Sequence, residues 1–282
     1  MKKIILFIVL VVGFSLNYTK VTAQVINGAY AKKTITDRKP APLPDVRESD
    51  VIWSKTVWRI IDLREKANQH FYYPVREIQG RTNLFLTLLK GVEEKSITAF
   101  DAQGTDAEFK EPITFLKVKE QFGDTVKTIK VTDLNTGADR DTIIRTDIPY
   151  NEIKQLEIKE IWYFDKQKSS LQVRTLGICP IRVYKKDPND SLYVRKRIFW
   201  VSYPEVRPLL AKHEVVNELN GARSLSFDDI FLTRQFDAYI VKEENIYNNR
   251  SIDEYAGGDY ALSESDRIKN AIFTYEQDLW EY

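Results

Sequence analysis

The sequence predicts an α+β protein: N-terminal helices, a central antiparallel strand meander and C-terminal helices. Apolar residues recur at helical spacing near both ends of the chain. The middle instead alternates with a two-residue period in segments rich in Val, Ile, Tyr, Trp and Thr. Short polar links join those segments, as antiparallel neighbours allow, and no βαβ alternation is present. With 282 residues, 43% hydrophobic and 29% charged, the chain can bury one sizeable core or two small ones.

Residues 1–23 read as a secretory signal peptide. Lys2 and Lys3 precede an apolar run from Ile4 to Phe14, and Val21-Thr22-Ala23 offers a cleavage site before Gln24. A membrane anchor is the rival reading, but the run is 11 residues long and a spanning helix takes about 20. A lipoprotein would need Cys directly after the cut, and Cys179 is the only cysteine. The mature chain is therefore expected to be exported and soluble, without a disulfide or lipid of its own. Loss of Lys2, Lys3 and Lys20 leaves 39 basic against 41 acidic residues, a net charge of −2. That balance argues against nucleic-acid binding through bulk positive charge.

Residues 24–45 form a polar, basic arm in which Pro40, Pro42 and Pro44 favour extended, polyproline-like chain. It reads either as a disordered tether or as a segment that orders along a partner. Residues 46–282 are expected to form a single α+β domain. A helix is expected from Ser49 or Asp50 to about Asn68, carrying Trp53, Val57, Ile60, Ile61 and Arg64. A second is expected over 82–94, and a third from Pro112 to Phe122 with Gly123 as its stop. Strands are expected over 143–148, 153–165, 171–184 and 192–203. Ile158, Glu160, Trp162 and Phe164 then share one face, and Asp165 to Ser170 is a hairpin loop. Ser226 and Asp229 form a capping-box-like start to a helix reaching about Val241. A last helix opens at Ser263, with Ile268, Ile272, Tyr275 and Leu279 as one stripe.

The residues offer little for catalysis. No G-x-S-x-G, P-loop, H-E-x-x-H or EF-hand spacing occurs. The acidic loop Asp133 to Asp139 lacks a Glu at the twelfth position and reads as a turn. His70 and His213 read as packing or polar surface residues, and Cys179 as a small buried hydrophobe. Glu93-Glu94, Asp228-Asp229 and Glu243-Glu244 are paired carboxylates of the kind a glycosidase uses, though solvated or capping positions explain them equally. No cofactor or metal is expected.

Recognition material is more abundant. Trp53 and Trp58 are five residues apart and point in different directions, so one is a candidate interface residue. Trp280 lies two residues from the end, which implies a docked terminus. The candidate protein-interaction residues are Trp53, Trp58 and Arg59 near the start of the domain, and Tyr275, Trp280 and Tyr282 at its end.

Longer strings add a resemblance. Asp50 to Lys55, Trp58 to Lys66, Phe71 to Pro74, Ile158 to Lys166 and Arg174 to Pro180 resemble the GldN (PorN) gliding-motility family. So do Ser226 to Asp229, Tyr239 to Asn245, Arg267 to Asn270 and Asp278 to Tyr282, giving a resemblance from about Val46 to the last residue. It does not separate GldN from its paralogue GldO. The resemblance implies a non-enzymatic periplasmic ring subunit of the type IX secretion system, peripheral to the outer membrane. Its implied partners are copies of itself or ring neighbours, the lipoprotein GldK (PorK) and the periplasmic shaft of GldM (PorM), part of the GldL–GldM motor. The alternative is an exported carbohydrate-active or other hydrolase with carboxylate chemistry.

Overall fold

The computed structural model describes residues 37–78, 80–103, 109–122, 127–132, 139–144, 149–185, 191–215 and 225–280. The expected signal peptide and the first part of the expected arm lie outside them. The first element corrects the sequence reading: Val51–Asp62 is a 12-residue strand, β1, rather than a helix. Its apolar positions fit both periods, but Val, Ile, Thr and Trp lose side-chain freedom in a helix and pack well in a sheet. A central place between two other strands then decides the outcome.

Two short helical turns follow, and the second is α1 (Gln69–Tyr72). The helix α2 (Leu84–Glu93) occupies its expected place, with Asn83 Oδ1 accepting from Leu86 N at 2.7 Å. Next come β2 (Ala99–Asp101) and β3 (Pro112–Ile113), then α3 (Phe115–Gln121). The expected third helix is thus shorter at its start. Pro112 pairs with Phe100 across the sheet, and Thr114 takes the cap. Gly123 lies outside the described residues. The strands β4 (Lys127–Thr132) and β5 (Asp139–Ile144) form a separate hairpin. Of the strand expected over 143–148, the first two residues fall in β5 and the rest lie outside the described residues, as do 133–138.

The central strands are as expected in kind: β6 (Ile153–Asp165) and β7 (Ser170–Tyr184) pair along nearly their whole length. The strand expected over 192–203 is broken at Ile198 into β8 (Val194–Arg197) and β9 (Phe199–Ser202). Tyr203 already opens α4 (Tyr203–Leu210), with Pro204 in its first turn. A small ladder of β10 (Glu214–Val215) and β11 (Leu225–Ser226) leads to α5 (Phe227–Thr233). The capping box is present: Ser226 N donates to Asp229 Oδ2 at 3.0 Å and Asp229 N to Ser226 Oγ at 3.2 Å. That helix stops at Arg234, which adopts φ 53°. Residues 239–241, expected to continue it, instead belong to β12 (Tyr239–Glu243) beside β1. Two helices close the chain, α6 (Ile252–Tyr255) and the 22-residue α7 (Asp259–Trp280).

The main sheet has eight antiparallel strands in the order β12-β1-β6-β7-β9-β2-β3, with β8 also paired to β7. One face carries the larger core, in which Ile61, Leu156, Ile158, Ile178 and Val201 pack against α2 to α5. On the same side Val57, Trp162 and Ile240 pack against Ile252 of α6 and against Ile268 and Ile272 of α7. The opposite face carries Trp58, Cys179 and Trp200, and beside them Ile60, Ile181 and Val183.

The sheet edges are blunted, which disfavours strand addition. Ser265 Oγ of α7 accepts the outward Ile240 N of β12 at 2.9 Å. Pro112 sits on β3 at the far edge, and β8 presents Arg195, Lys196 and Arg197.

Candidate interaction surface

The two groups of candidate residues meet at one place. Trp53 of β1 is half-buried, and its ring centroid lies 5.2 Å from that of Tyr275 on α7. Two residues before it, about half a turn round the helix, Phe273 is 42% exposed and 6.5 Å from Trp162. Glu276 Oε1 accepts from the backbone N–H of Leu171 at 3.0 Å. Ser265, Ile268, Ile272, Tyr275 and Glu276 follow helical spacing, so one face of α7 is fastened from β12 across β1 to β7. The side chain of Trp280 and all of Tyr282 lie outside the described residues.

Trp58 and Arg59 occupy different environments from Trp53. Trp58 is 3% exposed on the opposite face, with Lys242 Nζ 4.4 Å and Lys159 Nζ 4.9 Å from its ring centroid. Arg59 lies on the helix side, between Val57 and Ile61, facing Glu160. That carboxylate is fully buried. It accepts from Arg234 Nη1 at 2.9 Å, Trp162 Nε1 at 3.1 Å and Arg59 Nη1 at 3.4 Å. Arg59 Nη2 also donates to Ala238 O at 2.8 Å. Burial pulls the Arg59 guanidinium below its ordinary pKa, the Glu160 charge opposes this, and neighbouring Arg234 adds to the lowering. The network sits where the two helix-side clusters meet, within the monomer.

A second surface lies at the start of α7. Ile246 is 89% exposed, Tyr247 61%, Tyr260 77% and Leu262 60%. Arg250 stabilises their base by stacking between Tyr247, at 4.9 Å, and Tyr255, at 4.7 Å. The sequence reading missed this surface. Its signal was a pair of large apolar residues, Ile246-Tyr247, set among asparagines that no period explains; Asn248 and Asn249 adopt φ 55° and 52°.

The paired carboxylates are structural where they are inside. Asp228 is buried and accepts from Tyr203 Oη at 2.9 Å and from Arg207 Nε at 2.9 Å. Burial and the Asp228 charge raise the Tyr203 phenol well above its ordinary range. Asp229 completes the capping box and pairs with Arg38 at 2.8 Å. Glu243 pairs with Lys55 at 2.6 Å, Glu244 accepts from Thr56 N at 3.2 Å, and Glu93 and Glu94 are exposed at the end of α2. Cys179 is fully buried, as expected, and burial pushes its thiol up, with Glu157 adding to the effect. His213 Nδ1 donates to Leu209 O at 2.9 Å. Among the described residues no helix is long and apolar enough to cross a membrane.

No curated protein matches the chain. Residues 46–281 match a family model described as "Gliding motility associated protein GldN".

Proposed function

The chain belongs to the GldN family and is a component of the gliding-motility and type IX secretion machinery; from that premise we propose that it is a non-enzymatic ring subunit in the periplasm. In this reading its mature form sits at the periplasmic face of the outer membrane. It binds copies of itself or ring neighbours together with the lipoprotein GldK (PorK), and it engages the shaft of GldM (PorM). The lipoprotein supplies the membrane attachment.

The observation that carries the reading is the placing of exposed aromatics at two separated positions along one helix. Tyr260 and Phe273 are separated along α7 by about 20 Å at about 1.5 Å per residue. A ring is a heterologous assembly, so each subunit must present two different patches. Trp53, Tyr275 and Phe273 form one, and Ile246, Tyr247, Tyr260 and Leu262 form the other. Arg59, beside Trp162, supports the first from inside, whereas Trp58 is buried on the opposite face of the sheet, and substitution of either tests folding rather than contact. The hydrolase alternative finds no support, because its inner carboxylates hold Arg207, Arg38 and Lys55.

Affinity purification of the tagged mature protein from detergent-solubilised membranes tests this reading. Recovery of an outer-membrane lipoprotein and a motor-shaft protein in the same complex is expected. Recovery of the chain alone from envelopes that contain both would contradict it.

A further inference from the structure

The arm is not free along its whole length. From residue 37 it lies against the domain, held at three points spaced by three residues. Arg38 pairs with Asp229 at 2.8 Å, Ala41 O accepts from Arg207 Nη2 at 2.5 Å, and Pro44 O accepts from Arg174 Nη2. A polyproline helix has three residues per turn, so positions 38, 41 and 44 fall on one side of it. Prolines at 40, 42 and 44 favour that conformation, and the domain meets it with two guanidiniums and a carboxylate in a row.

Two of the three contacts read backbone carbonyls. Ala41 to Asp45 are all exposed, so the arm carries little apolar surface into the contact. The Arg38–Asp229 pair has side chains 39% and 23% exposed, and solvent-screened pairs of this kind add little to stability. The middle of the track is fixed in place, because Arg207 is buried and held by Asp228. A weakly held arm on a preformed track, joined to β1 by the short exposed stretch before Val51, has the anatomy of an exchangeable element.

We propose that the Asp229–Arg207–Arg174 track is an intersubunit binding site, and that its occupant in the assembly is the 38–44 arm of a neighbouring copy. Exchange keeps the same hydrogen bonds and ion pair, so it requires no new chemistry. Arm and track are different surfaces of one chain, so the link is heterologous and extends from copy to copy. This inference rests on the proposed assembly into multimers.

Two differently tagged mature chains test it, one carrying Pro44→Cys and the other Arg174→Cys, co-expressed and treated with a short bis-maleimide in the purified assembly. The native Cys179 is fully buried and does not compete. A second pair, Arg38→Cys and Asp229→Cys, reports the other end of the track and guards against a local effect of either substitution. Arm exchange gives a covalent species of twice the chain mass carrying both tags, lost when the sample is diluted to monomers before cross-linking. Multimers in which neither pair joins the two tags, while Pro44→Cys/Arg174→Cys in one chain closes internally, overturn the proposal and leave the assembly reading intact. A monomer in every preparation overturns both.

Discussion

Glu160 is the residue on which the helix side of the sheet depends most. It lies between Ile158 and Trp162 with no exposure, and two guanidiniums and an indole converge on it. Replacing one partner of a buried ion pair leaves the others uncompensated and costs about 3–5 kcal/mol. Glu160→Gln should therefore lower the unfolding free energy by about that amount in chemical denaturation, while an unchanged midpoint would mean that water reaches the network. His70 makes a different prediction. Burial holds its imidazole down at about 4 from an ordinary 6.5, and its Nε2 has no hydrogen-bond partner among the described residues. The unfolded chain therefore takes up this proton first as pH falls. His70 contributes fully above about pH 6.5, and stability is lost as pH drops towards 4. Thermal unfolding across that window should be flatter for His70→Phe than for the parent. Equal slopes would show that the site is hydrated in solution.

At the scale of elements, close approach rather than propensity governs the helix layer. A Cβ added at Gly91 in α2 would lie 2.6 Å from Leu209 Cδ2 and 3.0 Å from Ile97 Cδ1. Alanine gains about 1 kcal/mol of helix propensity over glycine, but overpacking a tight contact costs typically 1–3 kcal/mol. Gly91→Ala should thus lower the melting temperature, and a rise would mean that Leu209 moves aside freely. The same competition explains what could be read from the sequence. The strands β6 and β7 were legible because their alternation is long and their connecting loop is short. α2 and the capping box of α5 were legible from local chemistry. β1 was not, because Val57, Ile60 and Ile61 fall at helical spacing while the strand buries both of its faces, and its strand partners are about 100 and 180 residues away. β12 was missed for a related reason: Arg234 ends α5 in a left-handed conformation that no glycine or proline announces. Of the candidate surface, Trp53 and Tyr275 were singled out from the sequence one by one, but their contact across the fold was not legible. The buried role of Trp58 followed from the strand parity that the helix reading concealed.

Across the whole molecule, α7 joins the parts. It blocks the β12 edge through Ser265, buries Ile268 and Ile272, and brings Tyr275 to the start of β1. With the sheet edges blunted, strand addition is disfavoured, and α7 offers exposed aromatics at two separated positions for the proposed assembly alongside the arm. Sedimentation of the purified assembly, compared between the parent and a Tyr260→Glu/Phe273→Glu variant, tests this most directly. Both residues are exposed, at 77% and 42%, so the variant should keep the parent's melting temperature. The parent is expected to sediment as a multimer of the 32.9 kDa chain, less the expected signal peptide, with the proposed lipoprotein partner. The variant should sediment as a folded monomer. A variant that forms the same multimer as the parent would contradict the claim that these two surfaces build the assembly.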